Sequence, residues 1–244
     1  MSVTQNIYDD PEFFERYSLL PRSVGGLEQA PEWPTLRALL PEVAGRRVVD
    51  LGCGFGWFCR WAADAGASSV LGLDVSANML ARARDENAGP AITYRSVDLD
   101  QLELAPDSVD LAYSSLALHY LADLARLFGV LRRALSPGRA FVFSVEHPIF
   151  TAPSDPGFVP GDHGRLRWPV DRYLDEGPRT TDWLTEGVVK QHRTIATYVS
   201  LLHAAGFSLT ALDEWGPTEQ QITDNPTWQG ARDRPSFLLI AAQA

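Results

Sequence analysis

The chain has 244 residues, 45% of them hydrophobic and 21% charged, with a formal net charge of −10. Its length suits one α/β domain with a sizeable core, and an acidic balance without a clustered basic face argues against nucleic acid as a partner. No run of about 18 apolar residues marks a membrane span, and the first residues lack the basic-then-apolar order of a secretory signal, so a cytoplasmic location is expected.

Residues 11–20 and 34–40 read as short helices, separated by PRSVGGLEQAPEWP, a Pro- and Gly-rich stretch read as a loop. A regular alternation then begins. Residues 47–51 form an apolar strand and 57–65 a helix ended by Gly66. Residues 70–73 form a second strand and 77–86 a second helix, with Ser76 placed to cap it. Residues 92–95 and 109–113 read as the third and fourth strands. A helix over 122–135 is stopped by SPG, and 139–145 is a continuous apolar strand. Strands alternating with helices imply a parallel sheet covered on both faces.

The alternation breaks after that strand. Residues 147–187 carry many prolines, glycines and aromatics with no sustained period, and so long a connection inside a domain is usually functional. A helix over 194–205 and strands at 208–214 and 235–242 complete the pattern. The stretch between those strands is too polar and broken for the crossover helix that a parallel neighbour requires, so the last strand is expected to be antiparallel. The fold class expected is a doubly wound, Rossmann-like, mostly parallel sheet of seven strands. Around it come an N-terminal helical cap (1–44), a cofactor-binding core (45–146), an irregular substrate lid (147–193) and a C-terminal part of the core (194–244).

The stretch VVDLGCGFGW puts Gly52, Gly54 and Gly56 directly after the first strand, where open α/β sheets bind ligands. The dinucleotide fingerprint is G-x-G-x-x-G, which sets a pyrophosphate on a helix N-terminus. Here the spacing is G-x-G-x-G, and Trp57 occupies the position of the third fingerprint glycine. Asp74 ends the second strand, where a carboxylate can accept both hydroxyls of a ribose. Asp98 follows the third, where one can receive an adenine amino group, and Asp50 precedes the glycines. Three acids at three strand ends suit a cationic ligand with a ribose and an adenine better than they suit phosphates.

VVDLGCGFG, LGLDVSANML, SVDLD and VDLAYSSLALHYL, in that order, resemble the motifs of class I S-adenosylmethionine-dependent methyltransferases, most closely the type 11 methyltransferase domain group. The resemblance covers roughly residues 45–145 and implies S-adenosylmethionine as cofactor, with S-adenosylhomocysteine as product. It implies that Asp50, Gly52, Gly54 and Gly56, with Cys53, line the methionine part. Asp74 would meet the ribose, Met79 would border the adenine and Asp98 contact its amino group, with Val75 and Leu99 as further cofactor-binding residues. Ser114 and Leu116 would stand beside the sulfonium, and Tyr17, on the N-terminal cap, would reach the carboxylate end.

The acceptor side is less marked. Methyl transfer requires chiefly positioning, and a base only if the acceptor must lose a proton. His119 and Tyr120 follow the fourth strand; Glu146 and His147 follow the fifth. Either histidine is a candidate base. Lys190, His192 and Arg193 could hold a carboxylate or phosphate of the acceptor, and Trp168 and Trp183 could wall an apolar one. The histidines lack metal-ligand spacing, so no metal is expected. A small-molecule methyl acceptor is the partner expected; monomer and dimer both stay open. The rival readings are a nicotinamide-dependent oxidoreductase, a non-catalytic cofactor binder and a protein methyltransferase.

Overall fold

The computed structural model describes residues 4–244, so the first three residues of the expected cap lie outside the described residues. The cap holds three short helices, α1 (Pro11–Ser18), α2 (Pro21–Gly25) and α3 (Trp33–Ala38). The stretch read as a loop from residue 21 therefore begins as a helix. Pro21 fills its first turn, where a missing N–H costs nothing, and Gly26 ends it at φ 65°. The core then alternates as expected: β1 (Arg47–Leu51), α4 (Trp57–Asp64), β2 (Ser69–Asp74), α5 (Ala77–Glu86), β3 (Ile92–Ser96) and β4 (Val109–Ser115). It continues through α6 (Leu124–Ala134) and β5 (Leu135–Glu146).

After β5 come a short helix, α7 (Pro148–Thr151), and two two-residue strands, β6 (Val159–Pro160) and β7 (Leu166–Arg167), which pair with each other. The region read as wholly irregular then forms an antiparallel hairpin, β8 (Gly177–Trp183) and β9 (Thr185–His192). Its signal was hidden because the buried face of β9 carries Lys190 and His192 beside Val188. Polar side chains that are buried and bonded erase the apolar alternation by which a strand is recognised. α8 (Ile195–Ala204), β10 (Ser208–Trp215), α9 (Glu219–Asp224) and β11 (Phe237–Gln243) close the chain.

Seven strands form one sheet in the order β10-β11-β5-β4-β1-β2-β3. The five from β3 to β5 are parallel, and β11 runs antiparallel to both β5 and β10. Each face buries its own apolar set. Val49, Leu51, Phe141 and Phe143 pack under Leu127, Phe128 and Leu131 of α6 and Tyr198 and Leu202 of α8. Val48, Val70, Leu111 and Val142 pack under Trp33, Phe58, Cys59 and Leu80. This alternation along each strand is what two covered faces require. Among the described residues, no helix is long and apolar enough to cross a membrane.

Strand order reverses between β1 and β4, and the crevice at the carboxyl ends of such a pair is where doubly wound sheets bind ligands. The glycine turn leaves β1 at this point, and Leu116 leaves β4 there.

Candidate active site

The three glycines after β1 have different local duties. Gly52 has φ 75°, and a Cβ there would stand 2.3 Å from the Ala117 Cβ, so turn and β4 exit approach only because that atom is missing. Gly56 has φ 79° and caps α4; a Cβ on it would strike the Tyr94 hydroxyl at 2.2 Å. Gly56 is thus spent on packing and does not line the cavity, which corrects its expected place beside the ligand. Gly54, at φ 52°, has nothing within 4 Å of its absent Cβ and opens onto the cavity.

That cavity, of about 410 Å3, extends from the glycine turn to the end of β5. It falls in the size range of small-ligand sites. Gly52, Cys53, Val75, Met79, Leu99 and Leu116 all border it. Leu116 is left-handed, at φ 53°, a strained conformation for a leucine held by its N–H bond to Ser144 O at 3.0 Å. Ser114 is not in the wall: it is fully buried, and its hydroxyl donates to Leu51 O at 2.7 Å, tying β4 to β1.

The three expected acids all reach the cavity. Asp74 Oδ2 accepts the Gly54 N–H and Oδ1 the Ser76 N–H, both at 2.9 Å, leaving a second lone pair on each oxygen. Burial pushes its carboxyl up from the ordinary range. Asp50, buried beneath the turn, is raised by desolvation to about 7 and accepts the Cys59 thiol at 3.3 Å. A cation placed beside it would draw the proton off. Asp98 is partly engaged already: Thr4 Oγ1 donates to its Oδ1 at 2.8 Å and the Asp100 N–H at 3.0 Å.

The N-terminal segment closes the top. Asp9 accepts from the Ser76 hydroxyl and from the N–H groups of Ala77 and Asn78, clasping the start of α5. Gln5 binds the hairpin backbone on both its amide atoms, at Gly187 O and Val189 N. Arg16 donates to Leu184 O at the hairpin turn. Tyr17, which lines the cavity, packs edge-on against Tyr8, Phe55 and Trp183. Trp183 lines it too.

On the acceptor side, His119, Tyr120 and Glu146 border the cavity. His119 Nδ1 accepts the Glu146 N–H at 3.3 Å, which assigns its proton to Nε2. Burial, then Lys190 and Arg193, hold its pKa well below the ordinary histidine value. A neutral ring with one nitrogen engaged and the other protonated is a donor, so this geometry opposes the expected base role. The Tyr8 hydroxyl donates to Tyr120 Oη at 3.2 Å, leaving the Tyr120 proton free for a ligand. Glu146 Oε1 is taken by Lys190 Nζ at 2.6 Å, while Oε2 is buried without a partner.

Five expected acceptor residues lie outside the wall, each for a bonding reason. His147 Nδ1 accepts the Ile149 N–H at 3.0 Å and Nε2 meets Glu214 at 2.8 Å, so the ring caps α7. His192 is held by the Thr151 hydroxyl and Tyr173 O. Arg193 donates to Leu121 O and Ala122 O. Lys190 stands behind Glu146 with Nζ 4.7 Å from the Trp183 ring centre. Trp168 donates to Ile149 O and stacks on Phe150. The anion clamp expected from these basic residues is therefore not assembled.

Sequence reading missed Thr4, Tyr8, Ser23 and Arg234, all in the wall. No motif marks the first three. Arg234 had a signal: an antiparallel last strand must begin beside the end of β5.

Switch point, cavity and acids together define a doubly wound α/β enzyme with a nucleoside-sized site. Comparison with known proteins makes this specific. Residues 49–143 match a methyltransferase domain family. A crystal structure of an S-adenosylmethionine-dependent methyltransferase from Mesorhizobium loti is 58% identical, spans 90% of this chain and all of that one, and superposes with a TM-score of 0.87. An N-demethylindolmycin N-methyltransferase of Streptomyces griseus is 28% identical over 81% of this chain and 80% of its own length. A malonyl-[acyl-carrier protein] O-methyltransferase of Pectobacterium atrosepticum is 38% identical over 54% of this chain, which spans only 47% of that relative. The chain belongs to the S-adenosylmethionine-dependent methyltransferases.

The open side of Gly54 gives a direct test of fit. A Gly54→Ala variant meets no protein atom and carries only left-handed strain, about 1–2 kcal/mol. It should melt a few degrees low yet lose about tenfold or more in calorimetric affinity for S-adenosylhomocysteine, because the methyl fills space on the ligand side. Unchanged affinity would remove the glycine turn from the cofactor site.

Proposed function

We propose that this enzyme methylates a small molecule bound in the same cavity as the cofactor. The supporting observation is the enclosure: one cavity of about 410 Å3 joins the glycine turn to Glu146, roofed by the N-terminal segment and the β8–β9 hairpin. A space of that size, shared with the cofactor, has room only for a small acceptor beside it. In this reading residues 4–44 and 147–193 act together as the lid over the core.

S-adenosylmethionine supplies an electrophilic methyl on a sulfonium, and S-adenosylhomocysteine is left. The residues present fit that group. The free lone pairs of Asp74 take the ribose hydroxyls, and Asp50 offers its charge to the ammonium. Met79 and Leu99 flank the adenine, with Asp98 at its amino edge. Tyr17 and the Ser23 hydroxyl, which is buried without a partner, serve the carboxylate end. His119 Nε2–H and the Tyr120 hydroxyl hold the acceptor by donating to it. The aromatic roof excludes water, which strengthens each of these polar contacts.

Methyl-labelled S-adenosylmethionine, incubated with the protein and a cell extract split into small and large molecules, tests this. Label in the small-molecule fraction is expected, absent with an Asp74→Ala blank. Label confined to macromolecules would replace the small acceptor with a polymer.

A further inference from the structure

Among the described residues Arg234 is the one arginine in the cavity wall without a hydrogen bond or ion pair; Glu146 attracts it only at longer range. Its Nε and Nη1 are shut off from solvent without partners. It is nevertheless fixed in place. The Cζ lies 4.4 Å from the ring centre of Trp168, 4.5 Å from Phe150 and 5.8 Å from Phe158. Trp168 and Phe150 are stacked 9° from parallel, and Trp168 is itself tied to Ile149 O. The aromatic cage orients the cation, but it accepts none of the N–H bonds. A half-buried guanidinium with two of its three nitrogens sealed off and unpaired is a costly arrangement for a protein to keep idle.

Its position says what it waits for. Because β11 is antiparallel to β5, Phe237 stands opposite Glu146, and the His147 N–H donates to Ser236 O at 2.9 Å. Arg234, just before this strand, therefore lies at the end of the cavity beyond β5, away from the glycine turn that leaves β1. Glu146, the nearby acid, already pairs with Lys190. Resting on the reading that this cavity takes the acceptor, we infer that Arg234 anchors a carboxylate on the methyl acceptor and sets its specificity. With Nε and Nη1 closed off, Nη2 is the amino group left to donate to a carboxylate, in a charge-assisted hydrogen bond. The flanking Phe150 and Phe237, both in the wall, suit an apolar body behind that charge.

The test titrates protein loaded with S-adenosylhomocysteine with benzoate, benzamide and phenyl phosphate, read by calorimetry. Benzoate should bind about tenfold or more tightly than benzamide. Arg234→Met should bring that ratio to about one while leaving the affinity for S-adenosylhomocysteine unchanged. Arg234→Lys, which keeps charge and most of the volume, should retain a reduced preference, and decides the matter if the Met variant does not fold.

Equal or absent binding of benzoate and benzamide to the wild type overturns the anchor. So does a preference that survives Arg234→Met, or that is fully retained in Arg234→Lys if that variant decides alone. Phenyl phosphate binding ten times more tightly than benzoate overturns the carboxylate in favour of a phosphomonoester. The S-adenosylhomocysteine titration is separate: if it fails, benzoate and benzamide are titrated against the unloaded protein, and a preference intact there sinks the cofactor reading and spares the anchor.

Discussion

An Asp74→Ala variant is expected to lose about 100-fold or more in affinity for S-adenosylhomocysteine while its melting temperature moves by only a few degrees. Both halves of this expectation come from the carboxylate's surroundings. Each Asp74 oxygen accepts one backbone N–H, from Gly54 or from Ser76, and has one lone pair left for a ribose hydroxyl. Hydrogen bonds to a charged group are worth about 1.5–3 kcal/mol each, so two lost together reach the 100-fold range. Stability is buffered by an opposing effect. Burial raises the Asp74 pKa, which means that the folded state disfavours its charge. Alanine frees two N–H groups but also removes that desolvated charge. By linkage, a raised pKa makes the charged carboxylate a stability cost that grows as pH rises above the unfolded value. The wild type should therefore lose more of its melting temperature between acid and neutral pH than the variant does. Calorimetric affinity within threefold of wild type would displace Asp74 from the ribose.

The core was legible because its signals are local. Apolar strands, the Ser76 cap and the glycine turn are written in adjacent residues, and an antiparallel last strand followed from a connection too polar for a crossover. The cofactor end was legible for the same reason: most of its residues sit at strand exits whose order was known. The acceptor end was not. His119 looked like a base until the Glu146 N–H, 27 residues away in the chain, was found on its Nδ1. Lys190, His192 and Arg193 looked like a cluster because they are neighbours in sequence. Lys190 and His192 share the buried face of β9 and Arg193 follows it, yet each answers to a different partner. Arg234 ends a polar stretch without a motif, and the packing of Phe150 and Trp168 around it shows how it is held. Tertiary partners decide what a polar side chain is free to do, and sequence spacing does not report them.

Lys190 carries the largest expected stability effect. Its side chain is 3% exposed and that of Glu146 14%, with Nζ and Oε1 2.6 Å apart, so solvent screens the pair little. Removing one member of a buried pair strands the other, typically at about 3–5 kcal/mol. For a chain of this size that corresponds to a fall in melting temperature of about 6–20 °C. Lys190→Met is expected to show it, since methionine keeps the volume and the contact with Trp183 but leaves Glu146 unpaired beside the cavity. The double variant Lys190→Met with Glu146→Leu should recover most of the loss, because an apolar pair of similar size avoids both desolvation costs. A double-mutant cycle on thermal melts measures the coupling. Loss below about 1 kcal/mol in the single variant would mean that water reaches Glu146 and that the hairpin is not pinned there. Recovery of stability in the double variant, together with a loss of methyl transfer, would give the pair its physical meaning. It would then serve to hold β9 against the end of β5 and keep a charged oxygen in the cavity, at a position where stability alone would favour hydrocarbon.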